Sequence, residues 1–200
     1  GYPLNFKVVT IFGFLTLHLA STRINRVVCS RDRLCRQPVR SLLRCGDNQN
    51  TTMSDSYIPM IPCNVAGPLG VLHLPRLWLK VSLEARGKLA SGYPGIGGGY
   101  DSMVIAGLGL SADAVRKFIT EKRPTYAEFE TWVKGQPGVT LDRASVYKLN
   151  ASILNYHHDD ETRTGILKAT GYPDNGSVLG AAVELNALDD WSAFHASVLK

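Results

Sequence analysis

The sequence predicts an all-α fold, a single compact domain of short packed helices with a glycine-rich loop, preceded by a basic leader expected to be poorly ordered. Three observations carry this. Apolar residues beyond position 70 recur at helical spacing, helix-start and helix-stop residues punctuate that pattern, and no alternation of period two is long enough to favour a sheet. Beside these, the charge is split: residues 1–52 hold seven Arg, one Lys and two acids, net +6, whereas residues 53–200 hold 14 basic and 15 acidic residues, net −1.

The pI of about 9.1 therefore reports the leader, and no nucleic-acid partner is expected for the near-neutral body. The first methionine, Met53, falls at the change in composition, which marks it as the expected start of a 148-residue body and leaves residues 1–52 as an upstream extension. Two targeting readings stand beside that one. The apolar stretch Val8 to Ala20 resembles a secretory signal, and the Arg-rich, acid-poor segment Arg23 to Arg44 suits an organellar transit peptide. Neither is a membrane span, which needs roughly 20 apolar residues. Cys29, Cys35, Cys45 and Cys63 match no zinc spacing. A body with Cys63 alone points to a reducing, cytoplasmic setting, and export or organellar import is the alternative if the leader is a targeting segment.

Pro75 opens the first helix, and Leu74, Leu77, Trp78, Val81, Ala85 and Leu89 form its buried stripe. Arg76, Lys80, Glu84 and Lys88 read as its solvated line, with Lys80 and Glu84 paired. The run Ser91 to Gly99 holds five glycines and a proline and must be a loop. Ser111 caps a second helix through Val115, Phe118 and Ile119. Thr125 and Glu128 form a capping box for a third, closed by Gly135. Thr140 caps a fourth, carrying Val146, Leu149, Ile153 and Leu154. Residues 160–170 read as helix up to Gly171, residues 177–188 suit helix or strand, and Trp191, Phe194, His195, Val198 and Leu199 form a terminal amphipathic turn behind Asp190. His195 is expected to be a hydrogen-bonded core residue.

Several of these segments occur together in a known order. His73-Leu-Pro-Arg-Leu with Lys80 and Gly87-Lys88-Leu89, the glycine loop with Asp101, Leu108-Gly-Leu, Glu130-Thr-Trp132, Gln136-Pro-Gly-Val-Thr140 and Leu188-Asp-Asp-Trp191 resemble the family catalogued as domain of unknown function 5069. The resemblance covers about residues 70–200. It implies a small, mostly helical, bacterial-type protein and brings no established activity. The chain departs at the fourth helix, reading Leu149-Asn150 where family members often carry a tryptophan-asparagine pair.

The densest set of chemical groups is His157-His158-Asp159-Asp160-Glu161. His157 with Asp159, or His158 with Asp160, would supply part of a metal or acid/base site completed by Glu184, Asp189 or Asp190. The alternative needs no further assumption: the three acids stand at a helix start and complement its dipole. Gly107 and Gly109 belong to a G-x-G-x-x-A pattern ending at Ala112, with Met103 to Ala106 as the strand a dinucleotide site requires, but no second strand follows. Gly95 to Asp101 lacks the Lys-Ser/Thr of a phosphate loop and reads as a connector. His73 and Arg76, at the first helix start, are the preferred ligand-binding candidates, suited to an anionic group. Cys63, without a neighbouring base, reads as a structural thiol. Ordinary hydrolase signatures do not occur.

The functional expectation is a non-enzymatic interaction or regulatory domain without a cofactor, acting on a protein or small-molecule partner. A small metal-dependent or acid/base enzyme built on residues 157–161 is the first alternative, and nucleotide binding at Gly107 to Ala112 the second.

Overall fold

The computed structural model describes residues 56–178 and 180–200. The described residues belong to one compact unit. The expectations for the leader, for its targeting segments and for Cys29, Cys35 and Cys45 lie outside the described residues.

Among the described residues seven helices follow one another: α1 (Leu74–Glu84), α2 (Tyr100–Leu108), α3 (Ala112–Lys122), α4 (Tyr126–Lys134), α5 (Arg143–Leu154), α6 (Asp160–Thr170) and α7 (Ala182–Phe194). α7 runs on as a π-helical turn, His195–Leu199. Pairings between extended segments are isolated bridges, such as Tyr57 with Leu89 and His157 with Ala181. Among the described residues the fold is therefore all-α.

Local chemistry sets the boundaries. Ser111 caps α3 by accepting from the Ala114 N–H. Thr125 and Glu128 form the reciprocal capping box of α4, and Gly135 is its C-cap. α5 is capped by Asp142, which accepts from Ala144 and Ser145, and so begins two residues later than a Thr140 cap implies. Asp159 accepts from Thr162 at 2.7 Å and caps α6, which Gly171 ends in the left-handed conformation.

α1 packs on α2, α3 and α4, α5 on α2 and α7, and α6 on α7. Leu74, Leu77 and Val81 of α1 meet Val104 and Leu108 of α2, Val115 and Ile119 of α3, and Phe129 of α4 in one core. Each such fully buried side chain contributes about 1.5–3 kcal/mol.

Besides the α5 cap, four expectations change. α1 stops at Glu84, so Leu89 is not on its stripe and pairs instead with Tyr57 in an extended bridge. Arg76 and Lys80 are not solvated but 5% and 7% exposed, since carboxylates from distant segments neutralise them. Glu84 accordingly pairs with Arg116 rather than Lys80. At the C-terminus Asp190 is a buried residue inside α7, which turns Trp191 (56% exposed), His195, Val198 and Leu199 outward.

Candidate functional site

A cavity of about 460 Å³ lies between the start of α1, the glycine loop that leads into α2, and α7. His73 stands at its edge as the N-cap of α1, in the left-handed conformation at φ 64°. This conformation costs a non-glycine residue about 1–2 kcal/mol, and the surrounding backbone enforces it. The His73 N–H donates to the Val65 carbonyl at 3.0 Å. One residue earlier, the Leu72 N–H donates to Asn150 Oδ1 at 3.0 Å, while Asn150 Nδ2 donates to the Gly70 carbonyl at 2.7 Å. Asn150 of α5 thus pins the segment that delivers His73.

From α1 three polar side chains enter the interior at successive turns, His73, Arg76 and Lys80. Asp101, in the first turn of α2, gathers two of them. Its carboxylate lies 2.8 Å from His73 Nε2 and 2.5 Å from Lys80 Nζ, and accepts the Gly97 N–H at 2.7 Å. Burial raises the Asp101 carboxyl, but the His73 hydrogen bond and the Lys80 charge outweigh it and hold the group below the ordinary value, hence ionised. Burial lowers His73 despite Asp101 and keeps its ring neutral. A neutral ring facing an ionised carboxylate carries its proton on Nε2, so Nδ1 presents a lone pair.

The second cluster joins α1 to α7. Arg76 donates to Asp190 Oδ2 at 2.7 Å and to Oδ1 at 2.9 Å. It also donates to the Ile61 carbonyl at 2.8 Å and to that of Pro59. Tyr93 Oη adds a 3.0 Å bond to Asp190 Oδ1. Beside this saturated pair, Asp189 lines the cavity with no hydrogen bond or ion pair among the described residues. Burial and the neighbouring Asp190 charge push its carboxyl up.

An aromatic chain links three of the lining residues through Tyr156: His73 to Tyr100 with ring centroids 5.3 Å apart, Tyr100 to Tyr156 at 5.4 Å, and Tyr156 to His158 at 5.8 Å. His158 Nε2 lies 2.9 Å from Asn186 Oδ1, and Asn186 Nδ2 reaches Cys63 Sγ at 3.7 Å. Cys63 is a buried free thiol whose ionisation is pushed up by burial against the opposing Arg76 charge, so it stays protonated and acts in packing. Two buried polar atoms from this wall have no partner, His73 Nδ1 and Tyr100 Oη.

The structure brings together the preferred candidates His73 and Arg76, but their neighbourhood is not a simple anion site, because Asp101 and Asp190 already hold the cations. Of the 157–161 cluster only His158 lines the cavity. His157 Nδ1 is engaged with the Gly180 carbonyl at 3.0 Å, Asp159 is the α6 cap, Asp160 lies 3.5 Å from Arg163, and Glu161 joins it in the first turn of α6. No group of three or more His, Cys, Asp or Glu side chains among the described residues has the geometry to hold a metal. Glu184, proposed to complete that cluster, keeps one carboxylate oxygen without a partner. Gly107 lies within α2 and Gly109 is its left-handed C-cap, so the stretch Met103 to Ala106 is helix rather than strand. The parallel-strand framework of a dinucleotide site is absent among the described residues.

Lys80, Tyr93, Asp101 and Tyr100 are the site residues that sequence reasoning missed. The signal for Asp101 was its place directly behind the glycine run, as an acid in a helix's first turn. The segments that carry the family resemblance supply His73, Arg76, Lys80, Asp101 and Asp190, and all five line this cavity. Comparison of the chain with family models, with curated proteins and with solved structures gave no match.

Proposed function

We propose that the protein is a small-molecule-binding domain of regulatory type, and that its ligand site is the cavity between α1, the start of α2 and α7. The observation that carries this is the convergence of the buried side chains His73, Arg76, Lys80 and Asp101 on one polar cavity of ligand size. Two buried polar atoms on residues of its wall, His73 Nδ1 and Tyr100 Oη, also lack a partner, where more than about 90% of buried polar groups find one. Binding fits better than covalent catalysis, because the one thiol in the wall is held protonated. Membership of the domain of unknown function 5069 family belongs to the same proposal, since the motif residues behind the resemblance converge on the cavity. A reducing, cytoplasmic setting goes with a buried free Cys63. No helix among the described residues is long and apolar enough to cross a membrane.

The test is a thermal-shift screen of small polar molecules on the wild-type chain and on Tyr100→Phe, which keeps the ring and removes the hydroxyl. The reading expects at least one compound to raise the melting temperature of the wild type and to do so less for the variant. A screen in which no compound acts, or in which every active compound acts equally on both proteins, would contradict it.

A second reading is favoured by one specific observation, the free Nδ1 of a His73 ring whose other nitrogen faces Asp101. On that reading the dyad accepts a proton from the ligand. Solvent deuterium would then enter a carbon position of the bound compound with the wild type and not with His73→Gln. A compound that binds in the cavity and stays unlabelled with the wild type would sink this reading and leave binding intact.

A further inference from the structure

α6 is the one helix among the described residues that adds nothing to the main core. Each of the other six places two or more buried side chains there, whereas α6 buries Leu167 alone, and Leu167 lies outside that core. The helix packs on α7, where Leu167 and Leu185 line the same small gap. Its remaining ties run to its own flanks: Asp159 caps it, Arg163 and Thr164 bond Asp174, and the Tyr172 N–H donates to the Leu167 carbonyl. With 11 residues and Gly165 near its middle, a helix of this kind is not stable in water without the surface it packs on.

This weakly held helix borders the cavity. His158, which leads into α6, and Thr162, in its first turn, both line the space between α1, the glycine loop and α7. Asn186 directs its Nδ2 at Cys63 Sγ, which leaves its Oδ1 to accept from His158 Nε2 at 2.9 Å. Among the described residues this is the one hydrogen bond from residues 158–174 to the rest of the domain. The neck below it is pinned separately, since the Ala182 N–H donates to the Tyr156 carbonyl at 3.0 Å and His157 pairs with Ala181. Detaching α6 therefore breaks one hydrogen bond and exposes one leucine while the main core and the neck persist, the pattern of a sub-global opening.

Resting on the proposal that this cavity is a ligand site, we infer that α6 is its lid: the helix comes off α7 and melts while the neck at His157 and Ala181 holds, withdrawing His158 and Thr162 from the cavity and uncovering Cys63. Closure restores the His158 bond to Asn186 and shuts water out on that side. The opening itself is a property of the helix and its single buried leucine, whatever the cavity takes up.

The experiment follows two probes in the full chain against urea, hydrogen exchange of the α6 and α1 amides, and alkylation by N-ethylmaleimide read in the peptide that carries Cys63. The α6 amides should open about tenfold or more often than those of α1, with a weaker urea dependence, and Cys63 should react at the α6 level. Leu167→Ala should speed α6 exchange and Cys63 alkylation together by about tenfold or more. Gly165→Ala, at an exposed position where an added Cβ meets nothing, should slow both by about threefold through helix propensity alone. This second variant keeps the test open if the first fails to fold. Exchange of α6 no faster than α1, Cys63 reacting only at the α1 level, or alkylation rates indifferent to Gly165→Ala overturns the lid. The Tyr100→Phe screen does not depend on α6 and decides the cavity separately.

Discussion

Arg76 of α1 and Asp190 of α7, 114 residues apart in the chain, meet through two parallel hydrogen bonds of 2.7 and 2.9 Å in the interior. A bidentate pair of this kind fixes orientation as well as distance. It ties the first and last helices across the cavity, and through the Pro59 and Ile61 carbonyls it also holds the segment before α1. Asp190→Ala, which strands a buried guanidinium, should lower unfolding free energy by about 3–5 kcal/mol. Replacing both partners, Arg76→Met with Asp190→Leu, should cost less than Asp190→Ala alone. Urea denaturation of the three chains checks the order.

Tyr100→Phe should stabilise the ligand-free protein. The Tyr100 hydroxyl is buried without a partner, and leaving such a group unsatisfied costs about 1–3 kcal/mol. The variant keeps the ring contacts to His73 and Tyr156. A rise in the urea midpoint at unchanged slope is the expected result. Stability gained by removing a side chain's polar group at a cavity wall is the signature expected of a binding residue.

His73 gives the stability curve a defined pH window. Burial holds its folded pKa below the ordinary 6.5, against Asp101 and alongside the repelling charges of Lys80 and Arg76. Between 6.5 and that lower value the unfolded chain binds a proton that the folded protein refuses, so stability falls as pH drops through this range. Asp101 is held below 3.8, so its contribution is present above 3.8 and disappears only under stronger acid. Asp189 is raised above 3.8 and acts with the opposite sign, losing stability as pH rises through its folded value. The difference between wild type and His73→Gln isolates the first effect. That difference should change across the range just below 6.5 and be flat above it.

Gly109 separates a backbone role from a ligand role. It ends α2 at φ 71°, and an added Cβ would stand 2.8 Å from the Gly138 carbonyl oxygen. Gly109→Ala therefore combines left-handed strain with a clash against backbone, and should destabilise by more than about 1 kcal/mol. Denaturation measures the loss, and nucleotides added in the same experiment should leave the wild-type midpoint unchanged.

The parts of this molecule that were legible in the sequence are those governed by neighbours in the chain. Ser111, the Thr125 and Glu128 box and Gly171 act within one turn, and each is found where its spacing predicts. The apolar side of α1 is legible for the same reason. α2 was not, although Tyr100, Val104 and Leu108 repeat every four residues and are all buried, because the glycines at 97–99, 107 and 109 read as a bend. The burial of Arg76 and Lys80 was out of reach for a different reason. A cation at helical spacing reads as solvated until its counter-ion is known, and these counter-ions lie 114 and 21 residues away. His73 and Arg76 were found as a pair at a helix start, but the carboxylates that change their meaning were not.

The most direct measurement is amide-resolved NMR of the isotope-labelled chain during titration with a library of small polar molecules. If the cavity is the ligand site, one compound will shift the amides of Gly97, Gly98, Gly99 and Tyr100 together with the side-chain amide of Asn186, in a saturable way. Compounds that bind while leaving those resonances in place, or a library that leaves all of them unmoved, would contradict the account.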